Sequence, residues 1–215
     1  MSEAAIPAFR SLRDHALALA KSLTDDEWDL ASDCAGWAVR DVYAHMGGVL
    51  HGVVDPAFMR AGDDPNDMEA AMEVGVDERR TWPIAEVVAE YELYSGQAID
   101  NLAGLQGNDM GATEIPMGNL GTHPLHLLAN AFVFDAYCHL RNDLLAPYGP
   151  LDRPLFSGRA TDTPAVETLD RILNGNGTQA GLKQLISERN LADLGADSLG
   201  RLVIDQPTAT SVSLS

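Results

Sequence analysis

Asp135 and His139 are the residues whose types and spacing carry the most chemistry in this chain. Leu125, Leu128 and Phe132 recur at spacings of three and four, and the same stripe continues through Asp135 and His139. Two ionisable groups are therefore expected to point toward a core. A buried carboxylate must find a cation, a dense set of donors or a metal, because leaving it unpaired is costly. At i and i+4 the two side chains share a face, with Cβ atoms about 5–6 Å apart, close enough to hold one ion between them. His45, beside the apolar face of an earlier helix, offers a third ligand, and Asp41 one turn before it is placed to accept from the other imidazole N–H. Gly48 and Gly52 follow on the same helix and leave a strip free of side chains that could admit a ligand. Two histidines and one carboxylate make a three-ligand set, which leaves an open metal position for water or substrate, as in catalytic zinc sites.

Plainer readings stand beside this one. His45 can be a satisfied core histidine, and Asp135 with His139 can be only a hydrogen-bonded pair. His51 lies about 120° around its helix from His45, and His126 about 180° from Asp135, which makes both surface or boundary residues. His15 and His123 show no partner pattern. Cys138 lies about 100° around the helix from His139 and reads as a small core residue. Cys34 and Cys138 are too few for a disulfide framework and too far apart for a local zinc knuckle, so both are expected to be reduced. Trp28 and Trp37 read as packing residues at the end of a bundle. No phosphate-binding loop, dinucleotide fingerprint, nucleophile elbow or HExxH pair is present. The acidic run of Asp63, Asp64, Asp67 and Glu69 is a solvated loop on the simplest reading.

The elements that must position these residues are helical through the first two thirds of the chain. Phe9, Leu12, Ala16, Leu19 and Leu23 form one apolar stripe. Thr24 and Glu27 have capping-box spacing and open a short segment that carries Trp28 and Leu30. A second long helix starts near Val39, with Val42, Met46, Val49 and Val53 on its apolar face, and stops near Asp55-Pro56 because proline cannot continue it. Residues 61–80 are acidic and weakly patterned and read as a loop. Pro83 opens a third helix with a stripe of Ile84, Val87, Tyr91, Tyr94, Ala98, Leu102 and Leu105. Glycine-rich sequence over 104–121 breaks it. A fourth helix, apolar on nearly all sides, is predicted over 124–145 and marks the most buried element. The expected architecture is an up-down four-helix bundle over residues 1–150, followed by a small extension over 151–215. In that extension helices are expected at 164–173 and 178–189 and short strands at 201–205 and 208–214.

The 215 residues suffice for one sizeable core, with 46% hydrophobic residues and a formal net charge of -18 from 14 Lys plus Arg against 32 Asp plus Glu. The acidity coats a folded body and argues against nucleic acid or an anionic membrane surface as partner. No apolar run approaches the roughly 18 residues that span a bilayer, and the N-terminus lacks a basic segment followed by an apolar one. A cytoplasmic location is the resulting expectation.

The stretch WDLASDCAGWAVRDVYAHMGG, Trp28 to Gly48, resembles the N-terminal signature of the mycothiol-dependent maleylpyruvate isomerase family, within the broader DinB-like bundles. In that family a Trp, a Cys, a Gly-Trp pair, an Arg-Asp pair and a metal-binding His occur at this spacing. FDAYCHLRNDLL, Phe134 to Leu145, is similar to the family's second motif, an acidic residue and a His four apart. The resemblance implies that His45, Asp135 and His139 bind a divalent metal, with zinc the ion. It also implies that the open position receives mycothiol, a low-molecular-weight thiol of actinobacteria, for attack on an electrophilic small molecule. The implied function is a metal-dependent thiol transferase or isomerase. The alternatives are a non-catalytic metal or small-ligand module on the same bundle, and an interaction protein whose helices dimerise.

Three positions depart from the family pattern. The acidic ligand is Asp135 where the isomerase uses the longer Glu. Three residues past His139 stands Asn142 in place of an Asp, with Asp143 displaced by one. Ala38 replaces the usual Thr and removes a helix cap. The region after Pro154 is short and poorly matched to the family's C-terminal domain.

Overall fold

The computed structural model describes residues 5–58, 68–116, 122–146 and 148–153. The helices and strands expected between 164 and 214 lie outside the described residues, as do the acidic loop residues Asp63, Asp64 and Asp67. The architecture is mainly α. In chain order it runs α1 (Ala5–Ser22), α2 (Asp25–Trp28), α3 (Val39–Val54), α4 (Met68–Arg79), α5 (Ile84–Gly104), β1 (Glu114–Pro116), β2 (Thr122–Pro124) and α6 (Leu128–Cys138). A 3₁₀ turn over Leu125–Leu127 leads into α6, and a π-helical turn over His139–Leu144 continues it. The helix predicted over 124–145 is thus one continuous run of three helical forms.

The apolar stripes define the packing. α3 lies chiefly against α5, while α1 packs on α6 and α5. Phe9, Leu12 and Ala16 of α1, Val42 and Met46 of α3, and Val87, Tyr91, Ala98 and Leu102 of α5 are all buried. The Tyr43 hydroxyl donates to the Ala16 carbonyl at 2.7 Å, which ties α3 to α1 without leaving a buried polar atom unpaired. Trp28 meets Tyr43 edge-on at 5.0 Å, inside this core. Glu27 accepts from the Thr24 N–H at 2.8 Å, the half of the capping box in which the carboxylate reaches back.

Two segments correct the expectations drawn from the sequence. Residues 68–79, expected to be loop, form α4. No apolar stripe announces this helix, because polar contacts hold it. Glu73 accepts from the Trp37 indole at 2.7 Å, Arg79 reaches Glu90, and Arg80 pairs with Glu73, Asp77 and Asp41. Within the glycine-rich stretch, β1 and β2 pair antiparallel, with Ile115 opposite His123. His51, expected at the surface or boundary, is buried. Its ring stacks between Phe58 and Tyr94, each 3.6 Å away, and its Nδ1 lies 2.8 Å from Glu90 Oε1.

Candidate metal centre

His45, Asp135 and His139 converge. One ligand atom from each lies within 4.8 Å of the others, although His45 comes from α3 and the other two from the α6 run. The imidazoles of His45 and His139 meet edge-on at 4.7 Å, and His139 Nε2 stands 3.5 Å from Asp135 Oδ1. Both histidines are buried, and the Asp135 side chain keeps 30% of its exposure. Trp37 tilts against His45 at 5.1 Å and walls off that side.

The carboxylate that orients an imidazole here is Asp143. Its Oδ2 lies 2.7 Å from His139 Nδ1, which leaves Nε2 toward Asp135 and His45. This is the arrangement in which an outer carboxylate holds a metal-binding ring. The π-helical turn explains the displaced Asp of the sequence: Leu145 N–H donates to the Leu140 carbonyl five residues back at 3.1 Å. Such a turn holds one residue more than an α-helical turn, and within it Asp143 keeps to the His139 face. Its i, i+4 spacing from His139 was the available signal.

Asp41 does not play the part expected of it. Its carboxylate accepts the Ala38 N–H at 2.9 Å and faces Arg80 at 3.6 Å, so it makes the half of a capping box that reaches back, while the half an N-cap side chain would make is missing at Ala38. His45 Nδ1 is buried with no hydrogen-bond partner among the described residues. The strip at Gly48 is likewise not open. A Cβ there would meet the Arg79 guanidinium carbon at 3.0 Å, so the missing side chain makes room for Arg79 and not for a ligand. Gly52 is buried on the same helix. A cleft reaches Asp135 from elsewhere, between Phe9, Met46, Leu50, Tyr91 and Phe132, with room of about 10 Å³, near that of one water. The Tyr91 hydroxyl is buried without a hydrogen-bond partner among the described residues.

Electrostatics divide the two histidines. Burial, reinforced by the charge on His139, lowers the His45 pKa to about 4, so its ring is neutral and its lone pair available. Burial also pulls His139 down, but Asp135 and Asp143 outweigh it and hold its pKa well above the usual value. Asp135 is pushed up by burial and brought below its ordinary value by His139 and His45. The donor set fits a divalent cation: two imidazole nitrogens and a carboxylate oxygen converge, and His45 Nδ1 is buried with no partner among the described residues.

Helices packed around a buried histidine-carboxylate cluster define a DinB-like, mainly α bundle. Residues 9–112 match the family model of the mycothiol maleylpyruvate isomerase N-terminal domain, the family that the motifs of the sequence resemble. The match takes in His45 and ends before Asp135 and His139. No curated protein and no solved structure matches the chain. No helix among the described residues is long and apolar enough to cross a membrane.

Proposed function

We propose that His45, Asp135 and His139 hold a divalent metal, zinc by the nature of the donors, in a thiol transferase or isomerase that uses mycothiol. The observation that carries this reading is the convergence of the three ligand atoms within 4.8 Å across two helices. A bound zinc would favour the thiolate form of an incoming thiol and so make it a nucleophile at neutral pH. The chain's own residues do the rest. Asp143 accepts from His139 Nδ1 and fixes the ring with Nε2 forward. Trp37 covers His45 and keeps bulk water from its ring. The apolar walls of Phe9, Met46, Leu50 and Phe132 would have to part to receive the uncharged parts of a substrate, and the Tyr91 hydroxyl stands among them to donate to a polar one.

The narrowness of the cleft favours a second reading, a metal-binding module without catalysis. Metal analysis of the purified protein, followed by calorimetry with mycothiol, separates the two. Stoichiometric zinc that disappears in His45→Ala and His139→Ala supports the site. Heat from mycothiol binding to the zinc form then supports the enzyme, whereas zinc without such heat supports the module. Wild-type protein without stoichiometric metal, under conditions where zinc is supplied, overturns both.

A further inference from the structure

Cys34 groups with Asp143 against the same histidine. The loop that carries it closes through a bridge between Ala31 and Ala38 and turns at Gly36, whose φ of +83° suits glycine. Ser32 accepts the Cys34 N–H at 3.2 Å, and the Asp33 N–H donates to the Asp143 carbonyl at 3.1 Å. These bonds fasten the loop to the π-helical turn and bring Cys34 over it. One ligand atom each of Cys34, His139 and Asp143 lies within 4.8 Å of the others. Both cysteines are free.

We propose that Cys34, His139 and Asp143 form a second metal position, one that takes a thiophilic divalent cation and shares His139 with the first. Asp143 lies at Nδ1 of His139 and Asp135 at Nε2, so the two positions face opposite nitrogens of one ring. A neutral imidazole carries one lone pair and one N–H. His139 therefore serves one position at a time, and the chain binds one ion, not two. With the ion on Nε2, Asp143 accepts the Nδ1–H; with the ion on Nδ1, Asp135 accepts the Nε2–H. Each carboxylate is ligand in one state and orienting acceptor in the other. Donors around a tetrahedral ion stand about 3.5 Å apart at ordinary metal–ligand lengths. Filling this position asks the 2.7 Å contact between His139 and Asp143 to open and the thiol to close in. Thiolate donors select softer cations, whereas the nitrogen and oxygen donors of the first position suit zinc and harder ions.

Cadmium(II) titration of the full chain, reduced and freed of metal, tests this by ultraviolet absorption and by counting bound cadmium. The expected result is one cadmium per chain with a sulfur-to-cadmium charge-transfer band. Cys34→Ser should remove the band and weaken cadmium binding by about tenfold or more. Cys138→Ala, which alters the core thiol, and His45→Ala, which alters only the first position, should both keep the band. Cadmium bound by the wild-type chain without that band overturns the proposal, as does a band that survives Cys34→Ser. If Cys34→Ser fails to fold, the wild-type titration can still overturn the proposal, and a band retained in Cys138→Ala assigns the sulfur to Cys34, the other of the two cysteines. The outcome is independent of the first position, because loss of zinc in His45→Ala with the cadmium band retained shows two separable sites.

Discussion

Two polar clusters lie buried along α3, six residues apart in sequence at His51 and His45, and they are built to opposite rules. In the first, Glu90 accepts from Arg79 Nη2 at 2.7 Å and lies 2.8 Å from His51 Nδ1, while Arg79 Nη1 donates to the Gly75 carbonyl at 2.7 Å. No buried polar side-chain atom of these three residues lacks a partner. In the second, two carboxylates crowd one imidazole while His45 Nδ1 has no partner among the described residues. The closed cluster is complete with protein atoms alone and does structural work, clamping α4 to α5. The open one has donor atoms left over, and that surplus is what an ion would use.

The comparison can be broken in four ways. The largest effect is expected from His139→Ala, which should abolish stoichiometric zinc binding while leaving the apo fold intact by circular dichroism. Retained zinc would show that the open cluster is closed after all. Arg79→Ala should do the reverse. Removing one partner from a buried pair costs about 3–5 kcal/mol, to be read from urea unfolding, with zinc stoichiometry unchanged in the folded protein. Asp143→Asn should weaken zinc affinity by about 10–100-fold, the usual loss for an orienting partner of a ligand, as measured by competition with a chelator. The smallest effect concerns acid. Burial raises the Glu90 carboxyl, and the hydrogen bonds from Arg79 and His51 bring it below its ordinary value. Its contribution to stability is therefore full above the unfolded value of about 4.3 and fades as pH falls through the lower folded value. Unfolding free energy followed into that range should decline less steeply in Glu90→Gln than in the wild type.

The long helices were legible because burial imposes a period of 3.6 residues on α1, α3 and α5, and that period selects Leu12, Met46 and Tyr91 without any tertiary knowledge. It also carried Asp135 and His139 into the core stripe. α4 was not legible, since its place depends on Glu73, Arg79 and Arg80 reaching partners on other elements, and a polar helix of this kind leaves no stripe. Asp41 misled for a related reason. One turn before His45 it had the right spacing for the ring, but the N–H of Ala38 was nearer in the chain and equally in need of an acceptor. Cys34 was hidden because its approach to His139 depends on a loop turning at Gly36, and neither periodicity nor local spacing reports that.

One extra residue in an α-helix ordinarily rotates everything after it by about 100°. The widened turn after His139 takes up such a residue locally, and the chain beyond it still returns to the core, with Leu144, Leu145 and Leu151 buried. A lineage that gained a residue there would keep a carboxylate against the histidine without rebuilding the bundle. The turn thus works as an expansion joint, letting the sequence change length beside its most constrained side chain.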